Sequence, residues 1–136
     1  DLFETAAITL TEAHIVTWAG LTGDFYPLHM DREYAAKTQF GERLVHGPLI
    51  FGLAVGLVSL AGIGGDAAIA WLGVDDLRML KPVKLGDTVR VIVEVKGQQP
   101  TSNPRKGLQV WRYTVRNQRD EEVMAFDYKM MFHMRG

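Results

Sequence analysis

Between Thr88 and Lys96 every second position is a valine: Val89, Val91, Val93 and Val95 alternate with Arg90, Ile92 and Glu94. Strand side chains point to opposite faces in turn, so this period predicts a strand buried on one side. The pattern returns in Leu108–Arg116 and Val123–His133, which read as a hairpin around Asn117–Glu121. On the second arm Met124, Phe126, Tyr128, Met130 and Phe132 share a face. Ala68–Pro82 holds two strand-like runs, AIAWLGV and DLRML. Gln98–Lys106, with two prolines and an Asn, reads as a mobile loop.

The first half is helical in pattern. Ala6–Leu10 is a short apolar segment suited to a first strand. Thr11 then offers an N-cap, Glu12 suits the positive end of a helix dipole, and Ile15, Trp18, Ala19 and Thr22 recur at helical spacing until Gly23. From Asp24 to His46 the chain is polar, punctuated by Pro27 and Gly41, with one helical turn expected around Arg32–Lys37. A connection this long inside a compact domain is often functional. Gly47-Pro48 opens a second helix with proline in the first turn, where its missing N–H is not needed. That helix is apolar all round, which predicts that protein surrounds it, and Gly52 and Gly56 share a face that would admit a strand or ligand closely. The order is strand, helix, long loop, buried helix, then about four antiparallel strands. It predicts a single α+β domain over residues 1–136, with the sheet curled around the buried helix.

Composition narrows the function classes. Of 136 residues, 47% are apolar and 23% charged, and the formal net charge is −1, so no general nucleic-acid or anionic-membrane partner is expected. The second helix, about Pro48 to Ala61, spans roughly 21 Å at 1.5 Å per residue, short of a ~30 Å hydrocarbon core. Asp1–Ala7 has neither a basic start nor a long apolar run, unlike a signal peptide. Cysteine is absent, which rules out disulfides and thiolate chemistry within this sequence and suits a reducing, cytoplasmic setting. The four histidines, His14, His29, His46 and His133, show no close ligand spacing, so no metal is expected. His14 is expected to be solvated, and nothing around His133 suggests chemistry.

The chemistry concentrates in Gly23-Asp24-Phe25-Tyr26-Pro27-Leu28-His29 and Arg43-Leu44-Val45-His46-Gly47-Pro48. Pro27 forces a turn between Asp24 and His29, so their side chains can converge. A carboxylate beside an imidazole is a workable acid–base pair, because each shifts the other's pKa. On spacing alone, the same two residues also fit an ordinary surface hydrogen bond. Gly47 begins a helix, whose unpaired N–H groups and positive dipole end suit an oxyanion, and it equally fits a plain N-terminal cap.

The stretch GDFYPLHMDREYAAKTQFGERLVHG resembles the signature of the MaoC-like (R)-specific enoyl-CoA hydratases, usually G-D-x-N-P-[LI]-H followed by H-G at the buried helix. The likeness runs from LTEAHIVTWAGLTGD through DLRMLKPVKLGDTV to the last hairpin. It implies a hot-dog fold, a long helix wrapped by a curved antiparallel sheet, usually paired as a homodimer. It implies reversible addition of water to a trans-2-enoyl-CoA, giving a (R)-3-hydroxyacyl-CoA, with no cofactor beyond the CoA thioester substrate. By the same resemblance Asp24 and His29 are the catalytic pair and the Gly47 N–H is the oxyanion donor. Tyr26 stands where the family usually has Asn, which puts substrate identity in question. Tyr26, Pro27 and His46 are expected to touch substrate, although a structural role suits His46 equally well and a Tyr26 turned away to pack is the plainer alternative. Arg78, Lys81 and Lys84 are weaker candidates for the CoA phosphates. Rival readings are a dehydratase of acyl groups on acyl carrier protein, one for branched or dicarboxylic acyl-CoA, a thioesterase, and a non-catalytic acyl-CoA-binding module.

Overall fold

In the computed structural model, which describes residues 2–134, two short strands open the chain: β1 (Leu2–Glu4) and β2 (Ile8–Thr9). Helix α1 (Glu12–Thr22) follows, then the short helices α2 (Pro27–Met30) and α3 (Arg32–Ala36), and the long helix α4 (Gly47–Ala61). Four strands complete the chain: β3 (Ala68–Met79), β4 (Thr88–Pro100), β5 (Lys106–Arg116) and β6 (Glu122–His133). They form an antiparallel sheet in the order β1-β4-β5-β6-β3, with β2 also paired to β4.

The alternating valines fix the sheet's inner face. Register aligns Val91 with Val115 and Met124, Val93 with Tyr113 and Phe126, and Val95 with Trp111 and Tyr128. Except for the half-buried Val95, the side chains of these three rows are buried. Helix α4 lies across them with Leu49, Ile50, Ala54, Leu57 and Val58 buried, and Phe51 meets Phe126 edge-on at 4.9 Å. The outer face carries ion pairs, among them Arg90 with Glu4 and Asp120, and Arg112 with Asp127. Such exposed pairs contribute only about 0–1 kcal/mol each. The apolar rows define which face is core.

Several expectations need correction. The first strand is not one apolar segment: Ala6–Leu10 supplies only the two residues of β2, and the exposed Leu2–Glu4 pairs with β4 as well. A three-residue exposed strand has no period to detect. The two runs in Ala68–Pro82 form one strand, with three register shifts against β6 and Asp76 at φ 57. The expected loop shrinks to 101–105, because Gln98, Gln99 and Pro100 pair with Gln109, Leu108 and Gly107. Pro100 is tolerated there because β1 reaches only residues 92–94 of β4, leaving that side of the strand without a ladder to break. His14 is half-buried, not simply solvated. Its Nδ1 accepts the Thr11 N–H at 2.9 Å, closing a capping box at the start of α1.

Helix α4 is not surrounded within this chain. Leu60 is 84% exposed, and Gly52, Gly56 and Ser59 are exposed too. Gly52 faces the Trp18 ring of α1, 3.7 Å from where a Cβ would be, so a helix side chain approaches it and not a strand. Strand β3, at the sheet's edge, also exposes Ile69, Trp71, Leu72 and Leu77. No helix among the described residues is long and apolar enough to cross a membrane.

The shared row at Phe126 yields a first prediction. Phe126→Ala removes a fully buried ring touching Tyr113, Tyr128 and Phe51. Urea unfolding should show a loss of about 3–5 kcal/mol. A loss below 1 kcal/mol would contradict this placement of the core.

Candidate active site

Gly23 ends α1 in the left-handed conformation at φ 84, its N–H bonded to the Ala19 carbonyl at 2.7 Å. The chain turns there, and Asp24 follows at once. Pro27 begins α2, so His29 lies in a short helical turn only five residues from Asp24. The 43–47 segment closes over this turn from the other side. Leu44 N–H reaches the Leu28 carbonyl at 3.2 Å, and Val45 N–H reaches Val83 at 2.7 Å. Arg43, just before it, forks onto Glu12 of α1 through Nη1 at 2.9 Å and Nη2 at 2.5 Å. That pairing holds the Glu12 carboxyl below its ordinary value.

His29 is oriented by a main-chain group. Its Nδ1 donates to the Leu44 carbonyl at 2.8 Å. A carbonyl can only accept, so Nδ1 carries the proton and the neutral ring keeps its lone pair on Nε2. A ring nitrogen of His29, one of His46 and a carboxylate oxygen of Asp24 lie within 4.8 Å of one another. A second Asp24 contact orders the turn, Oδ1 accepting the Tyr26 N–H at 3.3 Å.

His29 and Gly47 line one groove of about 320 Å³ with Phe40, Leu44, Val45, Met79, Leu80 and Lys81. The Met79 side chain lies over Gly47, 3.6 Å from where a Cβ would stand, so a methyl group there meets only ordinary contact. The structure thus brings Asp24, His29 and the start of α4 together. A carboxylate, an imidazole lone pair and free helix N–H groups side by side can exchange protons and stabilise a developing oxyanion.

The other expected site residues take different places around this pair. Tyr26 is 56% exposed on the rim, its ring centroid 6.0 Å from that of His29. Its phenol sits beside Tyr34, whose ionisation it opposes, raising the Tyr34 pKa. Pro27 is exposed and serves the start of α2. His46, for which substrate contact and a structural role stood equal, is 0% exposed, and neither it nor Asp24 lines the groove. Its Nε2 bonds the Asp24 main-chain carbonyl at 3.0 Å, and its ring stacks on His29 at 4.1 Å. Arg78, Lys81 and Lys84 are held in ion pairs with Asp76, Glu121 and Glu42. His133 is exposed.

The three-residue set has the donor types of a metal site. With the His46 Nε2–H on the Asp24 carbonyl, only its buried Nδ1 is left as a donor, in a ring that is 0% exposed. Sequence reading missed Leu44, whose contribution is a main-chain oxygen, and Met79, which reaches the groove from β3.

A model of the "MaoC like domain" family matches residues 2–117. The chain is 45% identical over 96 residues to Protein MaoC of Klebsiella aerogenes, an alignment covering 71% of this chain and 28% of that one. It is 36% identical over 94 residues to the (R)-specific enoyl-CoA hydratase of Rhodospirillum rubrum, covering 69% and 63%. The chain therefore spans less than two thirds of either relative's length. Among solved structures, a monoamine oxidase regulatory protein from Archaeoglobus fulgidus superposes with a TM-score of 0.94 at 34% identity, covering 100% and 90%. A Mycobacterium tuberculosis protein described as a double hot-dog fold superposes at 0.86 and 24% identity, covering 99% and 42%. With the sheet order, the central helix and the extent of the family match in agreement, this chain belongs to the MaoC-like domain family and has the hot-dog fold.

Proposed function

We propose that this chain is a hydro-lyase that adds water reversibly across the Cα=Cβ bond of a trans-2-enoyl-CoA, giving a (R)-3-hydroxyacyl-CoA. The observation that carries the reading is the oriented His29: its Nδ1–H sits on the Leu44 carbonyl, and a ring nitrogen lies within 4.8 Å of an Asp24 carboxylate oxygen. A base with a fixed lone pair next to a second proton-handling group is what addition of water needs. His29 takes a proton from the water as its oxygen bonds to Cβ; the proton passes through Asp24 to Cα as the Cα–H bond forms, so both groups end as they began. The Gly47 N–H, at the positive end of α4, polarises the thioester carbonyl as enolate character builds. In dehydration the same groups act in reverse. No metal or redox group enters this scheme, and a cytoplasmic setting fits its CoA thioester.

Asp24→Asn and His29→Ala should each lower turnover by roughly 10²–10⁴-fold, the usual worth of a positioned acid or base. The double variant should be little slower than either, since the two act on one water. The assay follows absorbance of the conjugated thioester over a panel of enoyl-CoA, 3-hydroxyacyl-CoA and acyl-carrier-protein substrates, including branched and dicarboxylic chains. Full activity in either single variant sinks the mechanism. Binding of acyl-CoA without turnover by the parent would assign a binding module instead.

Tyr26 is the substrate-selecting position in this proposal, because its ring stands on the rim next to His29. Tyr26→Asn should widen acceptance toward straight-chain enoyl-CoAs. If the phenol instead bonds substrate, Tyr26→Phe should cost about 1–3 kcal/mol of transition-state stabilisation. Parental kinetics in both variants across the panel would remove Tyr26 from the site.

The working unit is proposed to be a homodimer. Support comes from the outer side of α4 with Leu60, and from the edge strand β3 with Trp71, Leu72 and Leu77, all left exposed by one chain. An unpaired, apolar sheet edge is a surface that proteins usually cover. Light scattering at micromolar concentration should give twice the chain mass; a stable, active monomer would rule the dimer out.

A further inference from the structure

His46 is the least exposed histidine of the molecule and sits where three parts of the site meet. As the residue before α4 it is bonded directly to Gly47. Its ring lies 4.1 Å from that of His29 with an interplanar angle of 27°, and Nε2 lies 3.0 Å from the Asp24 carbonyl. Trp18 of α1 packs near the ring at 6.5 Å. Since the Asp24 carbonyl can only accept, Nε2 carries the proton and Nδ1 is bare. Nδ1 is buried and has no hydrogen-bond partner among the described residues. A position chosen for packing alone would be served better by a ring without that unpaired nitrogen.

From this arrangement we propose that His46 is a positioning residue, whose buried ring holds the Asp24 main chain and the His29 imidazole in register with the Gly47 N–H. The inference rests on the hydro-lyase reading for its kinetic consequence, but not for its structural one. The hydrogen bond fixes where the chain leaves α1, and so where the Asp24 carboxylate points. The stacked face limits tilt of the His29 ring about its bond to Leu44. The titratable groups facing His46 are His29 and Asp24, and burial is the main cause holding its own pKa below the ordinary value. A neutral neighbour leaves His29 free to take up a proton during turnover, which a cation stacked on it would oppose.

Two variants separate the hydrogen bond from the ring. His46→Phe keeps a flat ring and removes the donor. His46→Gln loses the ring and places an amide N–H where Nε2 was. His46→Phe should melt no lower than the parent, yet turn over 10–100-fold more slowly with KM changed less than about threefold, as expected when reacting groups are misplaced by a fraction of an ångström to 1 Å. His46→Gln should recover part of that loss, the share carried by the hydrogen bond. Parental kcat in His46→Phe, or a His46→Gln variant no faster than it, overturns the proposal.

A second readout needs no activity. Ring ¹⁵N spectra of the parent should show His46 protonated on Nε2 alone. In His46→Phe, amide hydrogen exchange across residues 24–29 should rise at least about tenfold, while β4–β6 keep their protection. Unchanged exchange in 24–29 overturns the proposal, whatever the enzyme does. Should the parent act on no enoyl or 3-hydroxyacyl thioester while exchange rises as stated, the functional reading fails and the positioning role stands.

Discussion

Helix α4 can lie across the sheet only because three cross-strand rows present a continuous apolar face to it. Val93, Tyr113 and Phe126 form the middle row, and each is almost wholly buried. Fully burying one large aliphatic or aromatic side chain contributes about 1.5–3 kcal/mol, so the Leu, Ile and Val positions of α4 acting together outweigh any surface ion pair. The position of the helix start follows from this packing. Once Leu49 and Ile50 are seated, Gly47 has little freedom, and neither has the segment joined to it.

The loop that carries Asp24 and His29 is polar and has no core of its own, so it borrows order from its borders. The left-handed Gly23 closes α1 on one side. On the other, Val45 is tied to Val83 and Leu44 to Leu28 by main-chain hydrogen bonds. Between these anchors His29 and His46 each give a ring N–H to a main-chain carbonyl, His29 to Leu44 and His46 to Asp24. Two imidazoles thereby differ in task. The one at the groove presents a lone pair, and the buried one presents only its flat face.

One chain leaves a good deal of apolar surface uncovered. The outer side of α4 and the length of β3 are exposed, and β3 carries three register irregularities with the strained Asp76 among them. Bulges and a charged residue at an edge discourage indiscriminate strand pairing. The rim bearing Phe25 and Tyr26 is exposed as well. This apolar surface lies next to the groove lined by His29, where the proposed dimer would cover it.

Much of this was legible in residue order. Period two over Val89–Val95 and over Met124–Phe132 located the strands and their inner faces, since alternation is a property of the backbone itself. Thr11, Gly23 and Gly47-Pro48 marked helix ends because capping is local chemistry. The motif residues around Asp24 and His29 marked the loop. What the sequence did not carry was decided by contacts between distant segments. The three residues of β1 become a strand only because β4 offers an edge, and α4 is half exposed although its composition is apolar all round. His46, by its place beside Gly47, suited a groove position and a structural one equally, and the tertiary structure turned its ring inward. The proton on His29 is placed by the carbonyl of Leu44, and a main-chain oxygen is the same in every residue, so no letter in the sequence could have announced it.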